Sequence, residues 1–289
     1  MKYEGTIYRP PSEANSLIIQ ATVGCSHNKC TFCSMYKEKQ FRTRPIEEVT
    51  ADLCEARKIY NFVERIFLAD GNALVLGADK LLAILEEIQK LFPDCKQTTI
   101  YGTPQDVLRK TPDELRMLSN AGLTIIYIGA ESGDDEVLKH INKGADSNEI
   151  IKAIQRLEDA GIKASVTFIS GLGGAELSDQ HARGCARIIN EAAPSYAALL
   201  TLLLEPSAPM YNDLQNGTFA FMTPEAIAKE TMILLEHARP KTDCIFRSNH
   251  VSNYIPLRGT LPRDNEKLIA GLKMALKNNA FRDDCFRGL

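Results

Sequence analysis

Residues 16–33 read SLIIQATVGCSHNKCTFC, an apolar run followed at once by three cysteines within nine residues, Cys25, Cys30 and Cys33. Three soft sulfur ligands on one short loop indicate a metal site. A structural zinc site normally takes four protein ligands, whereas an iron–sulfur cluster can be held by three thiolates that leave one iron open. The alternative is a cysteine-rich surface loop, but spacing this tight recurs nowhere else in the chain.

The composition is that of an ordinary globular protein, with 289 residues of which 44% are hydrophobic and 25% are charged. The formal net charge of −3 gives no electrostatic footprint for nucleic acid, so we do not expect a nucleic-acid partner. The longest apolar run, residues 197–204, is too short for a membrane span, and the first residues lack the apolar core of a signal peptide. We therefore expect a cytoplasmic protein without a membrane partner.

The other cysteines are scattered along the chain and indicate reduced thiols rather than disulfides. They are Cys54, Cys95, Cys185, Cys244 and Cys285. A second cluster would need another compact set of about three or four thiols. We therefore predict one cluster.

Short apolar runs alternate with helical patterns over the first two thirds of the chain. The predicted strands cover residues 16–23, 65–72, 98–102, 124–133, 163–171 and 196–204. This alternation predicts an α/β fold, a partial (β/α)6 barrel of the TIM type over residues 1–211, with functional groups at the C-terminal ends of the strands. We expect residues 212–289 to form a C-terminal extension, with a helix from Thr223, a short strand at 243–248 and a helix at 263–277.

Polar residues and glycines stand where the predicted strands end. Asp70-Gly71-Asn72 follows the second strand and is also an ordinary turn sequence. Glu131 ends the fourth strand, where its carboxylate could bind a glycol or simply be solvated. After the cysteines, Arg42 and Arg44 could hold an anion near the metal or be solvated charges.

The cysteine motif resembles that of the radical S-adenosylmethionine (SAM) superfamily. Most members have three residues between the first two cysteines and this chain has four, a minority spacing, while Cys30-Thr31-Phe32-Cys33 follows the usual pattern with an aromatic before the last cysteine. The resemblance implies one [4Fe-4S] cluster on Cys25, Cys30 and Cys33, with the open iron chelated by the amino and carboxylate groups of SAM. It also implies an oxygen-sensitive enzyme that takes electrons from a flavodoxin- or ferredoxin-type reductant.

Residues 124–144 resemble the fourth-strand region of the subgroup containing oxygen-independent coproporphyrinogen oxidases, methylthiotransferases and the elongator catalytic subunit. That resemblance implies that Glu131 contacts the ribose hydroxyls and that Lys143 lies near the methionyl carboxylate. The porphyrinogen enzymes have glutamine and arginine at these positions, and lysine lacks the planar fork of arginine. The remaining cofactor contacts implied by the resemblance are Phe32, Asp70, Gly71, Asn72, Thr167 and Ile169.

The family resemblance further implies reductive cleavage of SAM to a 5′-deoxyadenosyl radical that abstracts hydrogen from a substrate. We favour a small-molecule substrate, because the chain is acidic and we expect no cobalamin domain, RNA-binding module or second cluster. One alternative is an enzyme that modifies RNA or a peptide. Another is an iron–sulfur sensor or electron-transfer protein, which could use the same cysteines without catalysis.

The polar loop of residues 249–258 concentrates hydrogen-bonding groups before the last predicted helix. It contains His250, Asn253, Tyr254 and Arg258. We predict that it covers the barrel mouth and recognises substrate, with Tyr254 and His250 as catalytic candidates and Cys285 as a further one if the tail folds back. The alternative is a surface loop whose Tyr254 packs on the core.

Overall fold

The computed structural model describes residues 1–288. Its strands are β1 (Leu17–Gln20), β2 (Thr22–Val23), β3 (Arg42–Thr43), β4 (Arg65–Ala69), β5 (Gln97–Gly102), β6 (Leu123–Glu131), β7 (Lys163–Ser170), β8 (Tyr196–Thr201), β9 (Cys244–Ser248) and β10 (Leu257–Leu261). Its α-helices are α1 (Ile46–Ile59), α2 (Ala78–Leu91), α3 (Pro104–Arg109), α4 (Pro112–Asn120), α5 (Asp135–His140), α6 (Ser147–Asp159), α7 (Ser178–Ala192), α8 (Tyr211–Asn216), α9 (Pro224–His237) and α10 (Asn265–Asn278).

Two compact units divide the chain. The first comprises residues 1–28, 35–128 and 156–164, and the second comprises residues 29–34, 129–155 and those from 165 on. The hydrogen-bonded strand order is β1-β4-β5-β6-β7-β8-β9-β10, and β2 pairs with β3 separately. The predicted α/β class is thereby confirmed.

In the first unit, β1, β4, β5 and β6 pair in parallel. Leu68 aligns with Ile19 on one side and with Ile100 on the other, and Ile100 aligns in turn with Ile126. All four side chains are fully buried. Strands of a parallel sheet are covered on both faces, which explains why these strands are nearly continuous apolar runs in the sequence.

In the second unit, β7, β8 and β9 pair in parallel, and β10 pairs with β9 in the antiparallel sense. The sheet therefore continues beyond the six strands of the predicted barrel, through the strand predicted at 243–248, which is β9, and through β10, which was not predicted. The predicted loop of residues 249–258 is also shorter than expected, because Leu257 and Arg258 already belong to β10. Leu257 and Leu261 are the buried ends of this strand, opposite Ser248 and Cys244 of β9.

The helix starts follow from local side-chain capping. At α4, the Thr111 hydroxyl accepts from Glu114 N at 3.2 Å, and the Glu114 carboxylate accepts from Thr111 N at 2.6 Å. At α9, the Thr223 hydroxyl accepts from Ala226 N at 3.2 Å. Each threonine is followed by proline at the first helical position, where a missing N–H costs nothing.

Candidate functional site

The carboxylate of Asp70 ties the turn after β4 to the start of the cysteine motif. Its Oδ2 atom accepts hydrogen bonds from Gly24 N at 3.1 Å and from Lys39 Nζ at 2.6 Å, and the side chain is fully buried. Pairing with an ammonium and a backbone N–H offsets the cost of burying this charge. Asp70 therefore fixes the backbone directly before Cys25.

Asn72 makes a second link to the cysteine loop in the first unit. Its Nδ2 atom donates to Ser26 Oγ and to Asp106 Oδ2, each at 2.6 Å. Within residues 1–288, the buried Oδ1 atoms of Asp70 and Asn72 accept no hydrogen bond. Buried acceptors in proteins nearly always have a partner, so these two oxygens are suited to a cationic ligand.

Gly71 lies between these two side chains and allows a very close approach. A Cβ atom at this position would lie 2.5 Å from Tyr36 Cε2 and 3.0 Å from Cys25 Cβ. Gly71 N also donates to Gly24 O at 3.1 Å. Only glycine fits here. The facing phenol of Tyr36 stays protonated, since burial and the nearby Asp70 raise its pKa.

The middle of the motif belongs to the second unit. Thr31 N donates to Ile141 O at 2.9 Å, after the end of α5, and Met210 N donates to Thr31 O at 2.8 Å. Cys30, Phe32 and Cys33 are half-buried. Cys25, which belongs to the first unit, is also half-buried. Within residues 1–288, no group of three or more His, Cys, Asp or Glu side chains is arranged as a metal site, so ligation by these cysteines stays a prediction.

Glu131 and Lys143, both predicted to contact SAM, form an ion pair with each other. Lys143 Nζ donates to Glu131 Oε1 at 3.0 Å, and the two side chains are only 9% and 12% exposed. Glu131 has a φ of +68°, a left-handed conformation that is uncommon outside glycine. Such backbone conformations cluster at functional sites.

A buried polar network lies behind Glu131 in the second unit, and sequence reasoning missed it. Ser132 Oγ and His181 Nδ1 are 2.8 Å apart, and Glu230 accepts from Gly171 N at 2.9 Å and from Ser178 Oγ at 2.6 Å. His181 Nε2 lies 3.9 Å from Glu230, too far for a hydrogen bond. Burial lowers the pKa of His181, which is therefore neutral at pH 7. The one signal in the sequence was the presence of a histidine and a glutamate at apolar positions of α7 and α9.

Thr167 and Ile169, the predicted adenosine contacts, lie on β7 two residues apart and so share one face of the strand. Thr167 is half-buried and Ile169 is buried. After β7 the chain turns at Gly171, whose φ of +80° favours glycine. The backbone N–H of Gly171 in this turn donates the hydrogen bond to Glu230.

A cavity of about 460 Å³ lies in the second unit, at the C-terminal ends of β7 and β8. Its apolar lining includes Leu202, Leu203, Phe221, Met222 and Ile227. Its polar lining is Ser170, Thr201, Tyr254, Asp284 and Arg287. Taken over residues 1–288, the lining includes the predicted Tyr254 but neither His250 nor Cys285.

His250 instead helps to anchor the loop that carries Tyr254. Its Nδ1 atom accepts from Ser252 N at 3.1 Å, and the Ser252 hydroxyl accepts from Thr201 N at 3.2 Å. Asn253 is also buried, donating to Leu199 O at 2.8 Å and accepting from Thr201 Oγ1 at 2.9 Å. The loop is therefore fixed to the end of β8, and Tyr254 follows directly from this anchor.

The two arginines after the cysteine motif both form ion pairs with acidic residues of the first unit. Arg44, 4% exposed, forms a buried ion pair with Asp52 at 2.7 Å and donates to Gln20 O at 2.6 Å. Arg42 pairs with Glu4 near the surface. Neither alternative predicted for Arg44 is correct, because its charge is neither solvated nor available for an external anion.

A family model described as the Radical SAM superfamily matches residues 19–183, which is more than half of the chain and includes the cysteine motif. The chain is 26% identical over 171 residues to the 4′-phospho-dehydrooxetanocin synthase of Priestia megaterium, with 53% of the chain and 23% of that protein covered. It is 25% identical over 175 residues to the tRNA-2-methylthio-N(6)-dimethylallyladenosine synthase of Chlorobium luteolum, with 58% and 38% covered. The chain thus spans less than two fifths of each of these relatives.

A solved structure gives the same fold. Coproporphyrinogen III oxidase from Escherichia coli superposes with a TM-score of 0.56 at 17% identity, covering 77% of this chain and 52% of that one. At this low identity the match shows the fold alone. The shared fold agrees with the predicted partial barrel of the TIM type. Over residues 1–288, no helix is both long and apolar enough to cross a membrane.

Proposed function

Because this chain belongs to the radical SAM superfamily, whose members use a [4Fe-4S] cluster and SAM, we propose that it cleaves SAM reductively and acts on a small molecule. When bound, the reduced cluster and SAM would supply a 5′-deoxyadenosyl radical able to abstract hydrogen from a substrate. The observation that carries the substrate class is the cavity of about 460 Å³ at the ends of β7 and β8. Small-molecule sites are typically concave, mostly apolar and of this size.

We assign the cluster to Cys25, Cys30 and Cys33. Three thiols within nine residues suit a cluster that keeps one iron open, and the motif lies inside the matched region. The close contact of Gly71 with Cys25 supports this assignment, since it holds the first thiol at a defined place in its unit. All three thiols are partly exposed, which leaves them accessible to iron.

The proposed SAM contacts are Phe32, Asp70, Gly71, Asn72, Glu131, Lys143, Thr167 and Ile169. The orphaned oxygens Asp70 Oδ1 and Asn72 Oδ1 suit an ammonium group, which donates three hydrogen bonds. The Glu131 carboxylate suits ribose hydroxyls, and the Lys143 ammonium suits a carboxylate. These residues would bind and orient the cofactor and keep water from it.

Residues 212–289 form a proposed substrate-recognition extension to the core of residues 1–211. The anchored loop and its Tyr254, which lines the cavity, support this assignment. Tyr254 is the proposed catalytic residue of the extension. His250 is proposed to position the loop, because its ring nitrogen bonds Ser252.

Two other functions compete with this proposal. An RNA- or peptide-modifying enzyme is favoured by the relative named as a tRNA-modifying synthase. An iron–sulfur sensor or electron-transfer protein would hold the cluster without cleaving SAM. Radical SAM enzymes typically need a reductant, and for this chain we propose a flavodoxin- or ferredoxin-type donor and a cytoplasmic location.

The test compares a Cys25/Cys30/Cys33→Ala variant with a Cys285→Ala control, both purified anaerobically. The triple variant should lose its iron and its brown chromophore, because thiolates are the ligands that such clusters take. Cys285 is exposed and lies outside the motif, so its variant should keep both. A full four-iron complement in the triple variant would refute the assignment, and RNA that co-purifies with the wild type would favour the RNA-modifying alternative.

A further inference from the structure

The cavity of the second unit carries one arginine in a largely apolar wall. The side chain of Arg287 is only 5% exposed, while Phe221, Met222 and Ile227 supply apolar surface around it. A guanidinium withdrawn from water at such a place is costly unless its hydrogen-bonding groups are satisfied. Its contacts therefore indicate what the cavity is built to bind.

Two of these contacts fix the orientation of the guanidinium. Arg287 Nε donates to Ser252 O at 2.7 Å, and the guanidinium carbon lies 3.6 Å from the centre of the Tyr254 ring. Ser252 is itself buried and held to β8. An arginine stacked on an aromatic ring presents its N–H groups edge-on, in the fork geometry that matches an oxyanion.

The third contact is exchangeable. Arg287 Nη1 pairs with Asp284, whose side chain is 77% exposed. Ion pairs with a solvated partner contribute little, because water competes for the exposed group. The Asp284 carboxylate can therefore leave Arg287 when another oxyanion arrives.

We propose that this cavity takes a substrate with an apolar ring or chain and one oxyanion group, a carboxylate or a phosphate, which replaces Asp284 on Arg287. The inference rests on the proposed function, since it names the substrate class of the same site. The apolar body lies against Leu202, Phe221, Met222 and Ile227. Asp284 serves as the counter-ion of Arg287 before the substrate binds.

The test uses three probes that share one apolar body: 2-naphthylacetate, 2-naphthyl phosphate and the neutral 2-naphthylacetamide. Each is titrated into the full chain, purified anaerobically, and followed by ligand-observed NMR. At least one anion should bind about tenfold more tightly than the amide, as expected for a charge-assisted hydrogen bond. The preferred anion identifies the carboxylate or the phosphate as the natural group.

Variants assign the preference to Arg287. Arg287→Gln should lower the affinity for the preferred anion about tenfold and leave that for the amide unchanged. The control is Arg263→Gln, which changes a 67% exposed arginine of the same unit and should keep the wild-type preference. Asp284→Asn should tighten anion binding severalfold, because the competing carboxylate is gone. If Arg287→Gln does not fold, the anion affinity of Asp284→Asn tests the proposal in its place.

The inference is wrong if no probe binds, if the amide binds as tightly as both anions, if Arg287→Gln keeps the anion preference, or if Asp284→Asn leaves anion affinity unchanged. These titrations use neither SAM nor a reductant. A failure here therefore leaves SAM cleavage standing, and a failure of SAM cleavage leaves the binding result standing.

Discussion

The absence of a side chain at Gly71 determines how closely the turn after β4 approaches the first cysteine. In Gly71→Ala the new Cβ would meet the Tyr36 ring at 2.5 Å and Cys25 Cβ at 3.0 Å. Overpacking of this kind costs about 1–3 kcal/mol, and here it should also displace Cys25. We expect Gly71→Ala to bind clearly less iron than the wild type when iron per chain is measured.

The matched control is Gly77→Ala, because a Cβ there meets nothing within 4 Å and the φ of −59° suits any residue. Its iron content should equal that of the wild type. A Gly71→Ala variant with full iron would show that this contact does not position Cys25, the proposed first cluster ligand.

His181 predicts a pH dependence of stability. Burial is the largest cause that lowers its pKa, opposed by the nearby Glu230 and Asp134. Just below pH 6.5 the unfolded state therefore binds more protons than the folded state. The contribution of His181 to the free energy of unfolding is complete above about pH 6.5, and it is lost as the pH falls towards the lower pKa of the folded state. One such group changes the unfolding free energy by at most about 1.4 kcal/mol per pH unit.

Urea unfolding between pH 5 and 7.5 measures this effect. The fall in unfolding free energy on acidification should be shallower in His181→Gln than in the wild type. His140→Gln, which changes an exposed histidine, is the control and should follow the wild-type profile. Equal slopes for His181→Gln and the wild type would show that His181 does not carry the effect.

The sequence could propose individual site residues only where local order carries the signal. Cys25, Cys30 and Cys33 stand together in the chain, and Glu131 follows a recognisable strand. The network behind Glu131 was out of reach, because Ser132 and His181 are 49 residues apart and Gly171 and Glu230 are 59 apart. Their pairing is decided by packing that no local pattern records.

Helix α7 contains Gly184, which lowers helix propensity but allows close packing against Gly133. A Cβ at Gly184 would lie 2.4 Å from the backbone carbon of Gly133, after β6, and that backbone has no side chain that could move aside. Gly184→Ala should therefore destabilise the protein by about 3 kcal/mol or more, at the upper end of overpacking costs. The unfolding free energy in urea checks this.

Gly271 in α10 offers the matched control, since a Cβ there meets nothing within 4 Å. Gly271→Ala should stabilise the protein by up to about 1 kcal/mol, the difference in helix propensity between glycine and alanine. If both variants were stabilising, the contact between Gly184 and Gly133 would not constrain α7.

The elements that sequence reasoning found are those with strong local patterns. The buried parallel strands are apolar runs, and α4 begins at a Thr-Pro-Asp-Glu capping sequence. Strand β10 was missed because its residues, Leu-Arg-Gly-Thr-Leu, have apolar side chains only at the two ends, inside a loop rich in proline and polar residues. Strand β10 is stabilised by its backbone pairing with β9, which a local sequence pattern does not show.

The whole molecule has the predicted α/β class, but its sheet is longer than the six strands of the predicted barrel. Residues 212–289 were predicted as an extension with two helices and one short strand at 243–248. The predicted strand is β9, but it joins the main sheet by aligning in parallel with β8, and the unpredicted β10 follows it in the antiparallel sense. Which edge a late strand joins depends on contacts far apart in sequence, and these are not visible in one sequence.

Formation of 5′-deoxyadenosine reports directly on whether this chain cleaves SAM. Wild type and the Cys25/Cys30/Cys33→Ala variant are incubated anaerobically with SAM and dithionite, and 5′-deoxyadenosine is quantified by chromatography. The wild type should form 5′-deoxyadenosine and methionine, and neither product should form without dithionite or from the variant. Intact SAM beside a wild type that carries its full four irons would mean that the chain does not cleave SAM, and would favour an iron–sulfur sensor or electron-transfer protein.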